Sequence, residues 1–355
     1  MHARRVVAKD DPLTYAKAGV DIKAKDEAAR AITGLLSFAR TSSVGKPLGG
    51  PGHYAGMVEF GEHALVLATD GVGSKLEVAT AMKKWDTVGI DCVAMNVNDA
   101  ICVGAEPIAF VDYLAIEKPD AHLVAELAKG LNEGARASNM TIVGGETAIL
   151  PGLVKGFDLA GTVLAFVRKD RIVDGSGIRP GDIILGVASS GIHSNGYTLV
   201  RRAMERAEKG YHDKLPDGRT IGETLLEPTR IYVKAALDML QALPAGGVHG
   251  ISHVTGSGLL NVPRLKKDVR YVFDDPLPVP PVFREVQSWG GVAEDEMWRT
   301  FNMGMGLCVV VAPEHADAAV ATLAKHFPAK RVGRVEAGNG ISLPRAGVEL
   351  TGAKF

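Results

Sequence analysis

The first segment whose side chains could take part in binding or catalysis is residues 68–75, which read ATDGVGSK. It contains, in order, Asp70, Gly71, Gly73, Ser74 and Lys75. Glycines permit a tight turn whose N–H groups face phosphate, an aspartate can hold a divalent cation, and a lysine can neutralise phosphate charge. The alternative is an ordinary glycine turn in which the aspartate only caps the chain, because Asp-Gly turns are common. The segment by itself leaves both interpretations open.

The second segment is residues 86–104, whose pattern predicts a helix. At 100° per residue, one stripe is apolar and consists of Ile90, Val93, Ala94, Val97 and Ile101. The opposite side carries Asp91, Met95, Asn98, Asp99 and Cys102, and no Lys or Glu lies between its ends. Short acids and amides on a buried helix favour a wet internal site such as a metal–phosphate pocket. A partly buried helix whose acids are simply hydrogen-bonded is the alternative.

The third segment is residues 141–147, where a short apolar run is followed by Gly144, Gly145 and Glu146. Magnesium takes oxygen ligands and prefers carboxylates together with phosphate oxygens. Asp70, Asp99 and Glu146 are therefore predicted as metal ligands. Their recurrence beside strands and glycines is a stronger indication than any one of them alone.

The fourth segment is residues 189–197, SSGIHSNGY, in which His193 and Asn195 precede a predicted helix. Free N–H groups at a helix start favour an anion, and a histidine titrates near neutral pH. Asn195 is equally suited to capping the helix, and a histidine in a loop is often structural, so composition leaves their roles open.

Two further glycine loops are weaker candidates for holding phosphate. One contains Thr255 and Gly256, and the other contains Gly49 and Gly50. Neither the dinucleotide pattern G-x-G-x-x-G nor a Walker-type G-x-x-x-x-G-K-S/T is present, so the usual nucleotide-binding folds are not expected.

The composition is that of a folded protein with no global charge bias. Of 355 residues, 46% are hydrophobic and 23% charged, and 40 Lys and Arg nearly cancel 41 Asp and Glu. Neither nucleic acid nor a membrane is expected as a partner. Three cysteines in no metal or disulfide spacing, with no signal peptide or membrane-length apolar run, predict a cytoplasmic protein.

The elements that must position these residues alternate between strand and helix patterns, which predicts a mixed α/β fold. Strands are expected at residues 64–69, 108–116, 141–143, 159–167, 183–188, 248–254, 269–273 and 306–311. Helices are expected at residues 86–103, 119–138, 197–207, 228–243 and 313–326. A turn-rich stretch near residue 175 predicts two domains, 1–174 and 175–355, with loosely held tails at residues 1–12 and 344–355.

In this order, the segments resemble those of the aminoimidazole ribonucleotide synthetase family. The resemblance spans nearly the whole chain and includes residues 15–22, 70–75, 89–91, 94–99, 104–107, 144–146, 151–152, 193–197, 228–232, 253–258 and 299–304. It implies an N-terminal α/β domain whose strands complete a barrel across a homodimer. It also implies a C-terminal α/β sandwich with a mixed sheet.

The resemblance further implies a reaction and roles for particular residues. Formylglycinamidine ribonucleotide and ATP would become aminoimidazole ribonucleotide, ADP and phosphate, with magnesium as the metal. Lys75 would neutralise phosphate, His193 would move a proton or contact phosphate, and Asn98 and Asn195 would orient the substrate. The glycine loops, with Asp70, Ser74 and Thr255, would hold ATP. A related small-molecule kinase or synthetase, and a non-catalytic nucleotide-binding scaffold, are the alternative functions.

Overall fold

The computed structural model describes residues 12–36, 38, 40–42, 44–49 and 53–351, and the fold is mixed α/β with two sheets. The helices in these residues are α1 (Ile22–Leu35), α2 (Lys75–Met82), α3 (Asp86–Ile101), α4 (Ala121–Ala137), α5 (Tyr197–Arg206), α6 (Ile221–Leu225), α7 (Val233–Ala242), α8 (Pro281–Gly290), α9 (Glu294–Thr300) and α10 (Ala316–Leu323). Short 3₁₀ turns lie at Lys169–Arg171, Gly258–Arg264, Pro313–His315 and Pro344–Ala346. Across the described chain, none of the helices combines the length and apolar character needed to cross a membrane.

The first sheet has the strand order β1-β2-β3-β6-β4-β5. Its strands are β1 (Pro47–Leu48), β2 (Gly56–Phe60), β3 (His63–Gly71), β4 (Glu106–Ile116), β5 (Thr141–Ile149) and β6 (Phe157–Arg168). Every pair is antiparallel except β4 with β5, which is parallel. In β6 the residues alternate between buried and more accessible positions, so one face of the sheet is covered by the core and the other is open.

Helices α3 and α4 pack together, and α3 lies against the buried face of the first sheet. Two glycines allow the close approach of the helices: a Cβ at Gly130 would lie 1.8 Å from the carbonyl oxygen of Asp86, and one at Gly89 would lie 2.4 Å from that of Leu127. Helix α4 begins after Asp120, whose carboxylate accepts the N–H groups of the next turn. This packing holds the polar side of α3 toward the second half of the chain.

The second sheet has the order β13-β12-β9-β11-β7-β10-β8 and is mixed, because β12 runs parallel to β9. Its strands are β7 (Ile183–Ala188), β8 (Val248–His253), β9 (Val269–Val272), β10 (Met305–Val311), β11 (Ala329–Ala337), β12 (Gly340–Leu343) and β13 (Val348–Leu350). The predicted boundary at residues 174 and 175 falls between the two sheets.

Three sequence predictions of local structure need correction. Strand β5 does not stop at residue 143 but continues to residue 149, because Gly144 to Ile149 pair in parallel with β4. Helix α7 begins at Val233 rather than residue 228. The C-terminal tail is partly ordered as β13, which pairs with β12. The predicted tail at residues 1–12 lies almost wholly outside the described residues.

Candidate functional site

Most of the predicted site residues lie where the two domains meet. We call this region the domain seam: α3 and the β3–α2 turn on one side, and residues 189–198, 227–232 and 252–258 on the other. Side-chain hydrogen bonds cross it at several points. The polar side of α3 therefore contacts protein from the second domain, which explains its lack of long charged side chains.

Lys75 lies fully buried in the seam. Its Nζ lies 2.7 Å from Asp91 Oδ2 and donates a 2.8 Å hydrogen bond to the carbonyl oxygen of Glu227. Asp91 Oδ1 accepts from both the N–H and the hydroxyl of Thr229. Burial lowers the pKa of Lys75, and the neighbouring Asp91 opposes that shift. The ammonium of Lys75 is thus enclosed and its charge is matched by a carboxylate, and its role in neutralising phosphate stays a prediction.

Asn98 also bonds to the protein rather than facing an open site. Its Nδ2 donates to the carbonyl oxygen of Arg230 and its Oδ1 accepts the N–H of Tyr232. Two residues earlier, Asn96 exchanges hydrogen bonds with the backbone of Asp70. Both ends of the Asn98 amide are thus occupied by backbone groups, and its predicted role in orienting the substrate stays a prediction.

Asp99 is joined to a histidine that the sequence interpretation left without a role. The Nδ1–H of His253 donates to Asp99 Oδ1 at 2.9 Å, and Nε2 of His253 lies 3.5 Å from Asn98 Nδ2. His253 is fully buried, whereas the side chain of Asp99 keeps 18% of its surface exposed. Asp99 therefore has one oxygen engaged and remains accessible to a ligand.

His193 occupies a strained position at the centre of the seam. Its φ is +65°, the left-handed region that non-glycine residues rarely adopt, and its side chain is buried. The N–H of Ser190 donates to Nε2 at 3.1 Å. A Cβ at Gly306 would lie 2.6 Å from Cε1 of the ring, so the glycine makes room for it. The pKa of His193 lies well below its usual value because of burial first, and then because of nearby His253, Lys75 and Arg230.

Asn195 and the neighbouring loops meet at the same place. A Cβ at Gly256 would lie 2.9 Å from Asn195 Oδ1, so these two predicted residues are in contact range. Asn195 Nδ2 lies 3.7 Å from the sulfur of Met95 on α3. Across the seam, Ser74 Oγ lies 3.2 Å from the hydroxyl of Thr198. Thr255 Oγ1 makes a long contact of 3.5 Å with Asn261.

Asp70 has a companion carboxylate that sequence inspection missed. The strand register aligns Asp70, Gly161, Asp112 and Gly145 in one row across four strands. Residues paired directly across a sheet project to the same face, so Asp70 and Asp112 share the face covered by α3. Burial raises the pKa of Asp112. A Cβ at Gly145 would lie 2.3 Å from Asp112 Oδ1, which accounts for the glycine.

Glu146 follows Gly145 in β5 and therefore projects to the opposite, open face of the sheet. Its register partner there is Tyr113. Within one chain the sheet lies between the side chains of Glu146 and Asp70, and a metal shared by Asp70, Asp99 and Glu146 stays a prediction. No group of three His, Cys, Asp or Glu side chains is arranged to hold a metal ion among the described residues.

The remaining glycines differ in the space around them. A Cβ at Gly73 or Gly144 would have no atom within 4 Å, whereas one at Gly71 would meet the carbonyl oxygen of Leu159 at 3.3 Å. Gly49 has φ +74° and lies near Met57. Gly50 lies outside the described residues. Open backbone at Gly73, at the start of α2, is the feature of this set best suited to a phosphate.

The donors and acceptors of the seam fit a nucleotide and its metal. Besides the open turn at Gly73, two buried donors have no partner among the described residues, His193 Nδ1 and Ser189 Oγ. Asp70 and Asp99 supply the hard carboxylate oxygens that magnesium prefers. Magnesium is usually bound by one or two carboxylates together with phosphate oxygens and water, so these two residues are candidates for holding it.

Four residues with contacts in this region have no role in the sequence prediction: Asp91, Asp112, His253 and Thr229. Asp91 was visible as a short acid on the polar side of α3, in the same stripe as Asp99. Asp112 carried no comparable signal, because it interrupts an otherwise apolar strand, and only the register places it beside Gly145.

The family models and the named relatives that match this chain indicate the same family. Residues 52–167 match the family described as AIR synthase related protein, N-terminal domain, and residues 179–344 match its C-terminal domain. The chain is 53% identical over 325 residues to a protein of Methanosarcina barkeri named phosphoribosylformylglycinamidine cyclo-ligase, covering 91% of this chain and 95% of that protein. A protein of the same name from Methanococcus maripaludis is 48% identical, with 91% and 92% covered.

Solved structures are similar in fold. The crystal structure of tt0281 from Thermus thermophilus has a TM-score of 0.62 at 24% identity and covers 92% of this chain and 98% of its own. A structure described as AaThiL complexed with AMPPCP and TMP has a TM-score of 0.62 at 14% identity, with 93% and 95% covered. At these identities the likeness concerns the fold alone.

Proposed function

Because the chain belongs to the AIR synthase related protein family, we propose that it catalyses the ATP-dependent ring closure for which its relatives are named. The substrate is formylglycinamidine ribonucleotide, and the products are 5-aminoimidazole ribonucleotide, ADP and phosphate, within purine biosynthesis. One observation carries the proposal: relatives of this name are about half identical to the chain over nearly its whole length. Most of the predicted site residues lie at the domain seam, which supports the proposal.

The chemistry requires a poor leaving group to be activated. The amide-type oxygen attacks the γ-phosphorus of ATP, and ADP leaves. The substrate nitrogen then attacks the carbon that bears this oxygen, and the oxygen departs as phosphate. The protein contributes mainly by positioning and by neutralising charge around the transferring group. Because ring closure is intramolecular, holding the substrate folded removes much of its entropic barrier.

We assign the metal-binding role to Asp70 and Asp99. Magnesium held there would neutralise developing charge on the phosphoryl oxygens. Asp99 retains an exposed carboxylate surface beside His253, and Asp70 lies beside the open turn that leads to Gly73. Gly71, Gly73 and Ser74 would line the phosphates of ATP, whereas Gly144 and Gly145 lie on β5, which β6 and β4 separate from β3. Asn195, Thr255 and Gly256 would contact the substrate from the second domain.

Lys75 and Asn98 act indirectly in this proposal. Each binds the backbone of residues 227–232, and this segment leads directly into α7. Their role is to hold the two domains at a defined spacing, so that groups on α3 and on the loop at residues 189–196 face the same ligand.

We further propose that the protein is a homodimer formed through the open face of the first sheet, with the strands of both copies completing a barrel. That face carries apolar side chains that remain substantially exposed: Leu67 at 48%, Val111 at 40% and Tyr113 at 45%. An apolar patch on a sheet indicates a partner surface, and the matching face of a second copy has the same character. A reducing cytoplasm is the proposed location, since Cys92, Cys102 and Cys308 are buried and unpaired.

The decisive experiment measures ADP and aminoimidazole ribonucleotide from purified protein given ATP, magnesium and formylglycinamidine ribonucleotide. Equal amounts of both products, dependent on the substrate, are expected. ADP without ring closure would instead indicate a related kinase or synthetase. ATP binding without turnover would indicate a nucleotide-binding scaffold.

A further inference from the structure

His193 has a backbone conformation that the surrounding structure must enforce. Its φ of +65° belongs to the left-handed region, which is unfavourable for a non-glycine residue. The ring lies close to the backbone of Gly306, and the centroid of the Tyr232 ring is 6.2 Å away. Such strain at a buried polar residue indicates that its orientation serves a function.

The hydrogen bond from Ser190 determines which nitrogen of His193 carries the proton. The N–H of Ser190 can only donate, so Nε2, which lies 3.1 Å away, must present its lone pair. In the neutral ring the proton is therefore on Nδ1. His253 is fixed in the same way by Asp99, so neither imidazole is free to exchange tautomers without breaking a bond.

The Nδ1–H of His193 has no acceptor among the described residues, although it is shielded from solvent. An unpaired buried donor destabilises the folded state, so its retention calls for an explanation. Ser189 Oγ, in the same loop, is also buried without a partner among those residues. The loop thus carries two donors that the protein itself leaves unsatisfied.

The surroundings of His193 favour an anionic acceptor. Lys75, Arg230 and His253 act together with burial to keep the ring uncharged, because each disfavours a second proton. Lys75 is paired with Asp91, but Arg230, which donates to the carbonyl oxygen of Ala188, adds a positive charge that attracts a phosphate oxygen. An uncharged imidazole in such a place can donate a hydrogen bond without becoming a proton carrier.

We propose that the Nδ1–H of His193 is a fixed, uncharged hydrogen-bond donor to a phosphate oxygen of the bound ligand, and not a proton-transfer group. This inference deepens the proposed function and rests on it for the identity of the ligand, whose phosphate is that of ATP or of the ribonucleotide. Gly191 and Gly196, with φ of +155° and +80°, flank the histidine. A ligand reaches the enclosed nitrogen only if this loop moves, and glycines are residues that can absorb such a backbone change.

The test compares two substitutions that both tolerate the left-handed backbone. His193→Asn places an amide N–H close to the position of Nδ1, and asparagine accepts positive φ better than most residues. His193→Gly removes the donor and tolerates the same φ. Thermal unfolding establishes that both variants fold, and steady-state kinetics are then measured for each substrate across the neutral pH range.

The glycine variant is expected to lose on the order of 10- to 100-fold in kcat/KM, as for a lost hydrogen bond to a charged group, and the asparagine variant to recover a large part of it. A rise in KM for ATP assigns the contact to its phosphates, and a rise in KM for the ribonucleotide assigns it to the substrate phosphate. Equal losses in both variants, with a titration near neutral pH that only the native enzyme shows, would overturn the proposal.

Binding provides a readout independent of turnover. Calorimetric titration of the native protein and both variants with AMPPCP and, separately, with formylglycinamidine ribonucleotide should show weaker binding of one ligand by the glycine variant and recovery by the asparagine variant. Equal affinities of all three proteins for both ligands would refute the donor. If the native protein binds but forms no aminoimidazole ribonucleotide, the proposed function fails while this comparison still judges His193.

Discussion

The Nζ of Lys75 lies 2.7 Å from Oδ2 of Asp91, and neither side chain has any exposed surface. Both residues belong to the first domain, yet their other bonds reach Glu227 and Thr229 of the second. An ion pair within one domain thus anchors a backbone segment of the other. We call it the latch pair.

Breaking the latch pair should be costly. Asp91→Asn or Lys75→Met leaves the partner charge buried and uncompensated, which typically costs about 3–5 kcal/mol. Lys84→Met is the matched control, because the Lys84–Asp86 pair is exposed and should contribute less than about 1 kcal/mol. Urea unfolding of the native protein and of each variant measures these changes in the free energy of unfolding. Similar small losses for all three variants would show that the latch pair does not couple the domains.

Stability should decrease as the pH falls from neutral into the mildly acidic range. Folded His193 resists protonation, whereas the unfolded side chain takes up a proton below its ordinary pKa of 6.5. The unfolded state then binds more protons, so the free energy of unfolding falls by up to about 1.4 kcal/mol per pH unit for each such group.

The His193→Asn variant should flatten this slope. His53, whose pKa is also lowered, mainly by burial, remains in the variant and preserves part of the slope. The measurement is the urea midpoint at half-unit pH steps. Identical slopes for the two proteins would contradict the buried neutral state of His193.

The magnesium dependence of the enzyme's activity should distinguish Asp70 and Asp99 from Glu146. Asp70→Asn and Asp99→Asn each remove a charge from the proposed ligands and should lower kcat on the order of 100-fold while raising the magnesium needed for half-maximal rate. Glu146→Gln, on the opposite face of the sheet, should leave the magnesium requirement unchanged. An unaltered requirement in Asp99→Asn, with the fold intact by circular dichroism, would remove Asp99 from the metal site.

The open face of the first sheet should control whether the protein is a monomer or a dimer. The native protein is expected to sediment at twice the 37.4 kDa chain mass. Val111→Lys or Leu67→Lys should shift the equilibrium toward monomer, since each buries a charge in the proposed interface. Leu153→Lys changes an equally apolar exposed residue that lies outside the strands of the sheet, and it should have no effect. A monomeric native protein would refute the dimer.

The local sequence was sufficient to predict the helices and strands whose apolar residues recur with a regular spacing. The expectations for β7, α3 and α5 agree with the structure to within two residues, because their apolar spacing matches their burial. The strand predicted at residues 141–143 is shorter than β5, because the two glycines that follow it normally weaken a strand. Pairing with β4 overrides that preference, and Asp112 needs the space that Gly145 leaves.

The residue types of the site were readable from the sequence, but their partners were not. Acids and amides on the polar side of α3, and a histidine before α5, are visible as departures from an ordinary solvated surface. Which of them meets a ligand depends on contacts between residues far apart in the chain. Lys75 with Glu227, Asn98 with Tyr232, and Asp99 with His253 are such contacts.

Sequence alone therefore determined the mixed α/β class, the order of the motifs and the kind of chemistry their side chains support. Tertiary structure decided that Lys75 is enclosed by its latch partner, that Glu146 lies across the sheet from Asp70, and that His193 keeps an unsatisfied donor. The reason is physical: side-chain type is a local property, whereas burial, strand register and hydrogen-bond partners exist only after the two domains have packed together.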